Sequence, residues 1–143
     1  MFEIRYANES DKTFWFSIDK RMSDNEFTSK ARDKRTYIIS NCEKPIGIMR
    51  YNIFWCNTPF LDLIYIDEAS QNKGFGMHAM KHWENEMLSL GYKLVMTSTR
   101  SDEQAQHFYR KIGYIDSGCL VLSKEPAEIF FVKYFDDILS EGA

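Results

Sequence analysis

The sequence predicts a single α/β (α+β) domain, a mixed β-sheet flanked by helices in the order β-α-α-β-β-β-α-β-α-β-β. Three observations carry this. A chain of 143 residues suits one domain of a hundred-odd residues and buries roughly two-thirds of its unfolded surface. Apolar residues at 44% against 27% charged supply a core and exclude disorder and collagen-like sequence. No repeat, low-complexity tract or Gly/Ser/Pro linker interrupts residues 1–143, and the prolines stand only at Pro45, Pro59 and Pro126.

Each element has its own signal. Phe2 to Tyr6 alternates as a short strand, and Asn8 to Ser10 offers caps for a helix carrying Phe14, Trp15, Ile18 and Met22. Ser23-Asp24-Asn25-Glu26 is a capping box that opens a second helix, closed by Arg32 to Arg35. Strands follow at Thr36 to Ser40, Ile46 to Trp55 and Phe60 to Ile66, with turns at Asn41 to Pro45 and at Asn57-Thr58-Pro59. Such short turns imply an antiparallel meander. Met77, Met80, Trp83, Met87 and Leu90 recur at helical spacing until Gly91, and Lys93 to Ser98 is a strand. Strand, crossover helix and strand imply parallel pairing. Ser101-Asp102-Glu103-Gln104 reads as another capping box, opening a helix with Ala105, Phe108, Tyr109 and Ile112 on its apolar face and Gly113 as its stop. Two strands close the pattern, at Tyr114 to Leu122 and Glu128 to Tyr134.

Composition excludes several functions. The net charge is −3 and the longest basic cluster is Arg32-Asp33-Lys34-Arg35, so a nucleic-acid partner is not expected. Cys42, Cys56 and Cys119 form no C-x-x-C pair and no even set, which fits a reducing cytoplasm better than a disulfide framework or a zinc knuckle. Metal spacing is not seen among His, Cys and carboxylates, so no metal is expected. The opening Met-Phe-Glu-Ile-Arg-Tyr lacks a signal pattern, and apolar runs such as Leu61 to Ile66 are too short to span a bilayer. Secretion and membrane insertion are not expected.

The most informative stretch runs from Ile64 through Asp67, Gln71, Asn72, Lys73 and Gly74 to Phe75, Gly76 and Met77. Here a strand feeds a glycine turn that opens a long helix. Gly74 and Gly76 permit unusual dihedrals and close ligand approach, while the amides and dipole of a helix start favour a phosphate. Lys73 adds a point charge. A tight turn without a ligand is the alternative. The Walker pattern and the G-x-G-x-x-G fingerprint are both absent.

Q-x-x-G-x-G at Gln71 to Gly76, after the strand Leu61 to Ile66, resembles the acyl-CoA signature of the GNAT N-acetyltransferase family. Ala105-Gln106-His107-Phe108-Tyr109-Arg110-Lys111-Ile112-Gly113-Tyr114 is similar to the same family's A-x-x-F-Y-x-K-x-G-[FY] segment. The likeness extends in element order over about the whole chain, with its sequence-specific part between Leu61 and Tyr114. It implies acetyl-CoA as cosubstrate, with the amides of Gln71, Asn72, Lys73, Gly74, Phe75, Gly76 and Met77 around the pyrophosphate. The strand edge at Tyr65 and Ile66 would pair with pantetheine in a slot between splayed strands. Glu68 stands where the family often has Pro, Gln71 where Arg is common, and Asp102 where Asn is common. Asp102 is able to accept a pantetheine amide proton but not to donate one, and a helix-start carboxylate is its other role.

The implied chemistry is N-acetyl transfer to a primary amine of a small molecule or peptide by direct attack in a ternary complex. An alkylammonium near pKa 10.4 leaves roughly one part in a thousand as free base at pH 7, so a general base is useful. Asp62 is the candidate, with a solvated or structural carboxylate as its alternative. Tyr109 is the candidate acid for the departing thiolate by its place in the motif, and it also lies on a packing face. His78 and His107 occupy polar helix positions and are expected at the surface. Phe14, Trp15, Phe16, Asn25, Phe27 and the Tyr51 to Phe60 region fall where a ring-lined acceptor cleft would be built, or else belong to the core. Ile129-Phe130-Phe131-Val132 offers a segment for a possible homodimer, or ordinary sheet core. A non-catalytic CoA-binding or interaction module on the same fold is the competing function.

Overall fold

The computed structural model describes residues 1–135, and the predicted element order is observed. The elements are β1 (Phe2–Tyr6), α1 (Lys12–Ile18), α2 (Asp24–Arg32), β2 (Thr36–Asn41), β3 (Lys44–Phe54), β4 (Thr58–Ile66), α3 (Phe75–Ser89), β5 (Leu94–Arg100), α4 (Ala105–Lys111), β6 (Ile115–Leu120) and β7 (Glu128–Tyr134). The strands are hydrogen-bonded in the order β1-β2-β3-β4-β5-β7-β6. Two compact units divide the described residues: residues 1–52 with 62–83, and residues 53–61 with 84–135.

In the first unit β1 pairs antiparallel with β2, and β2 with β3. Trp15, Phe27, Ile38, Ile48, Ala7 and Met22 form a buried cluster on which Phe14, Phe16, Ile18 and Leu63 pack. The Ser23 capping box forms as its sequence requires, with Ser23 Oγ accepting from the Glu26 amide and Glu26 reaching back to the Ser23 amide. At the first helix the expectation needs correction. A one-turn 3-10 helix at Glu9–Asp11, capped by Asn8, precedes α1, and α1 ends at Ile18 before reaching Met22. Asp19 turns extended and its carboxylate is taken by Arg50 Nε at 2.9 Å and by the Arg21 amide at 3.2 Å. Helix continuation would forfeit those bonds, so Met22 enters the core from a loop.

The first hairpin turn falls within the predicted Asn41 to Pro45, whereas the second begins earlier than the predicted Asn57-Thr58-Pro59. Cys42 and Glu43 make one, at φ 51° and 68°, and Trp55 and Cys56 the other, at φ 54° and 58°. Two successive left-handed residues match the strand twist, so the reversal is complete by Cys56 and Pro59 lies inside β4.

A close backbone crossing within the first unit fixes β3 on β4. A Cβ added at Gly47 would press into the Tyr65 carbonyl oxygen and lie 3.1 Å from Ile66 Cδ1 and 3.2 Å from Ile66 Cα. The Asp67 amide donates to the Ile46 carbonyl at 2.7 Å beside it. Gly47→Ala is expected to cost about 1–3 kcal/mol through overpacking, read as a lowered thermal midpoint in scanning calorimetry. An unshifted midpoint would mean that the two backbones separate freely.

In the second unit β4 pairs parallel with β5 through Phe60–Met96 and Leu61–Thr97, as the crossover helix requires. Antiparallel β7 lies between β5 and β6. The Ile129 to Val132 segment therefore has strands on both sides and has no edge to pair with a second copy. β6 is the outer strand. The predicted capping box at Ser101 to Gln104 does not form. α4 begins at Ala105 with no side-chain cap bond at Gln104. Gln106 Nε2 instead donates to the Ser101 and Glu103 carbonyls, at 2.8 Å each, while Asp102 pairs with Arg100 at 3.2 Å. The Ser101 amide, which the box would pair with the Gln104 side chain, donates instead to the Ala127 carbonyl at 2.8 Å.

Candidate active site

Within the first unit a cavity of about 480 Å³ is lined by Ser17, Ile18, Asp19, Lys20, Arg21, Arg50, Asp62, Leu63 and Tyr65. Its polar wall is a connected network. Arg50 bridges two carboxylates, Asp19 at 2.9 Å and Asp62 at 3.3 Å. Asn52 Nδ2 donates to Asp62, and Asn52 Oδ1 accepts from Lys30 Nζ. Burial raises the Asp62 pKa above the usual carboxylate value, opposed by the Arg50 and Lys30 charges and by hydrogen bonds from Arg50 and Asn52. Burial also lowers the Lys30 pKa, with Asp62 acting the other way. The result is a carboxylate more basic than a surface aspartate and held in one orientation at the wall of a cavity.

The glycine turn lies in the same unit. Asp67 caps the 3-10 turn Glu68–Ser70 by accepting from the Ser70 amide at 2.9 Å. Asn72 and Gly74 are left-handed, at φ 62° and 85°, and no heavy atom lies within 4 Å of a Cβ built on Gly74. Glycine is thus needed there for backbone conformation and not for space. The first bond into α3 runs from the His78 amide to the Gly74 carbonyl, so the amides of Phe75, Gly76 and Met77 belong to the turn of α3 that lacks helical acceptors. Lys73 is exposed, and Phe75 stacks on Phe2 with centroids 5.4 Å apart. The Gln71 side chain turns back to donate to the Ile66 carbonyl at 2.7 Å. That bond ties the turn to the end of β4.

Tyr109, in the second unit, is buried between Tyr114 and Phe131, with ring centroids 5.7 and 5.8 Å away. Its hydroxyl is within hydrogen-bonding reach of Thr97, and burial pushes its pKa up to about 12. Thr97 Oγ1 itself donates to the Leu61 carbonyl at 3.0 Å. Packing and a fixed, protonated hydroxyl therefore coexist at this residue. Asp102 is exposed beside Arg100. His78 and His107 are exposed as expected.

The ring-lined cleft is not observed. Trp15 and Phe27 are fully buried against each other, 5.3 Å between centroids, Phe16 packs on Phe27, and Tyr51 is buried against Trp83. Phe54 and Trp55 stack at an exposed hairpin end, and Asn25 is exposed on α2. Removing a ring from water stabilises it more in the core than at a cleft wall, and charged side chains line the cavity instead. Asp19, Lys30, Arg50 and Asn52 escaped the sequence reasoning. The available signal was Arg50 amid Ile46, Ile48, Met49 and Ile53, since a charge in an apolar strand requires a buried partner.

A family model described as Acetyltransferase (GNAT) family matches residues 3–114. The chain belongs to the GNAT acetyltransferase family. Solved structures of the same fold include a GNAT acetyltransferase from Bacillus cereus ATCC 10987 at 22% identity and TM-score 0.74, covering 94% of this chain and 97% of that one. A GNAT family acetyltransferase from Elizabethkingia anophelis with acetyl-CoA bound matches at 14% identity and TM-score 0.72, covering 93% and 97%. Naa50 of Arabidopsis thaliana, in complex with the bisubstrate analogue CoA-Ac-MVNAL, matches at 9% identity and TM-score 0.78, covering 94% and 99%. A search of curated proteins finds no match. As a GNAT chain, the protein has its two motifs at the start of α3 and along α4. Among the described residues no group of His, Cys, Asp and Glu is arranged to hold a metal, and no helix is long and apolar enough to cross a membrane.

Proposed function

We propose that residues 1–143 form one GNAT domain that transfers the acetyl group of acetyl-CoA to a primary amine, of a small molecule or a peptide, in a reducing cytoplasm. The observation that carries this is the strand-turn-helix from Thr58 to Ser89, whose left-handed Asn72 and Gly74 open the amide-rich start of α3 in a chain of this family. Backbone amides from Gln71 to Met77 would bind the pyrophosphate. The edge of β4 at Tyr65 and Ile66 supplies the hydrogen-bonding line for pantetheine, with Asp102 as a further acceptor for an amide proton. The solved Elizabethkingia relative with acetyl-CoA supports this choice of donor.

Asp62 accepts the proton of the attacking amine. Its raised basicity suits the task, and its neighbours Arg50 and Asn52 hold it in place. Attack on the thioester carbonyl gives an oxyanion that a strand amide near Ile66 stabilises. Collapse breaks the carbon–sulfur bond, and Tyr109 donates its proton to the thiolate. No nucleophile of this chain is needed, since the amine attacks directly.

A panel of amines and peptide N-termini incubated with acetyl-CoA, with products read by mass spectrometry, tests the reaction. Failure to acetylate any of them despite CoA binding would favour a binding module. The loop assignment has a separate test. Gly74→Val places a β-branched residue at φ 85°, and its expected result is roughly tenfold or greater loss of CoA affinity by calorimetry, equivalent to about 1.4 kcal/mol. Unaltered affinity would remove this turn from the cofactor site.

A further inference from the structure

The cavity beside Asp62 carries an asymmetry of charge that bears on which amine it takes. Its inner network is balanced: Arg50 and Lys30 offset Asp19 and Asp62, all joined through Asn52 or by direct ion pairs. The rim is not balanced. Lys20 and Arg21 line the cavity, are exposed, and carry side chains with no carboxylate partner among the described residues. Ile18, Leu63 and the ring of Tyr65 supply an apolar wall on the same cavity. The Asp62 carboxylate, two exposed cations without a carboxylate partner among the described residues and an apolar wall on one cavity together form the complement of a molecule that carries both an amine and a carboxylate.

We propose that the acceptor is a small aminocarboxylate, its amine directed to Asp62 and its carboxylate held by Lys20 and Arg21. This rests on the acetyl-transfer function proposed above. A volume of about 480 Å³ falls in the range of small-molecule sites and admits an amino acid with its side chain. A polyamine would set its second ammonium against two like charges, whereas a carboxylate there gains both and displaces their counter-ions. Lys20 and Arg21 follow Asp19, whose carboxylate is fixed by Arg50 and by the Arg21 amide. The backbone that presents the rim cations is thereby tied to the network that presents the base.

The test compares aminocarboxylates with their decarboxylated and diamine counterparts, such as 4-aminobutyrate against propylamine and 1,4-diaminobutane, and α-amino acids against the matching amines, each rate corrected for its free-base fraction. At least one aminocarboxylate is expected to exceed its decarboxylated partner about tenfold in kcat/KM. The difference should lie in KM and shrink as salt rises. In the Lys20→Ala/Arg21→Ala protein the ratio should fall to near one, and the single conservative variant Lys20→Arg should retain it. Preference for amines or diamines, for peptides over every aminocarboxylate, or an unaltered ratio in the double variant would overturn the proposal while leaving acetyl transfer intact. Absence of any acetylated product, with CoA still bound, would overturn acetyl transfer and this proposal together.

Discussion

Replacing Tyr109 by phenylalanine is expected to lower kcat for acetyl transfer by roughly 10²-fold or more, the scale set by removing a general acid, while CoA affinity stays close to that of the parent chain. The ring keeps its contacts with Tyr114 and Phe131, and Thr97 keeps its bond to the Leu61 carbonyl. Loss of the hydroxyl therefore costs only about 1 kcal/mol of stability. Turnover measured beside calorimetric CoA binding separates chemistry from folding, and unchanged turnover would exclude Tyr109 from proton transfer. The same residue gives a signed pH effect. Burial raises its pKa from about 10 to about 12, so above pH 10 the unfolded chain loses the proton more readily than the folded one. Tyr109 thus contributes stability that is present below pH 10 and lost as pH rises toward 12. Tyr114, also raised by burial, acts in the same direction. Tyr109→Phe should therefore lose less stability than the parent chain between pH 9 and 11, as read by denaturant titration.

Arg50→Met is expected to destabilise the protein by about 3–5 kcal/mol, because it strands carboxylates whose burial depends on that cation. Asp19 is only 4% exposed and would retain just the Arg21 amide at 3.2 Å. Asp62 would lose the charge and hydrogen bond of Arg50 and keep only those of Lys30 and Asn52, so its pKa rises further and the acid limb of kcat/KM moves to higher pH. Adding Asp19→Asn should recover a large part of the stability, since the second change removes the uncompensated charge and not only its partner. Denaturant unfolding of the two single variants and the double variant measures this coupling. Equal stability of parent and Arg50→Met would show that solvent, not Arg50, neutralises Asp19.

Local grammar was easiest to read where a residue's partners are a few positions away. Ser23 and Glu26 satisfy each other's amides across one turn, and Gly91 and Gly113 end α3 and α4 in left-handed conformations, at φ 96° and 100°. Ser101 and Gln104 carry the same grammar and do not form the box, because the Ser101 amide is taken by the Ala127 carbonyl, far along the chain. Gly47 shows the other limit. Its sequence neighbours describe an ordinary strand, and the need for a missing Cβ comes from Tyr65 and Ile66 on another strand.

The sequence alone determined the α/β element order, the glycine turn, the F-Y motif and hence the family, because periodicity, caps and short motifs are properties of consecutive residues. It also singled out Asp62 and Tyr109 as the candidate base and acid. Tertiary structure decided what surrounds them. Trp15, Phe27 and Tyr51 went into the core while Phe54 and Trp55 stayed exposed, and Asp19, Lys20, Arg21, Arg50 and Asp62 meet at a cavity although they lie as far apart as 19 and 62 in the chain. Charges in a low-dielectric wall must find partners across that separation, and only the folded chain shows which ones they find and which two rim cations remain unpaired.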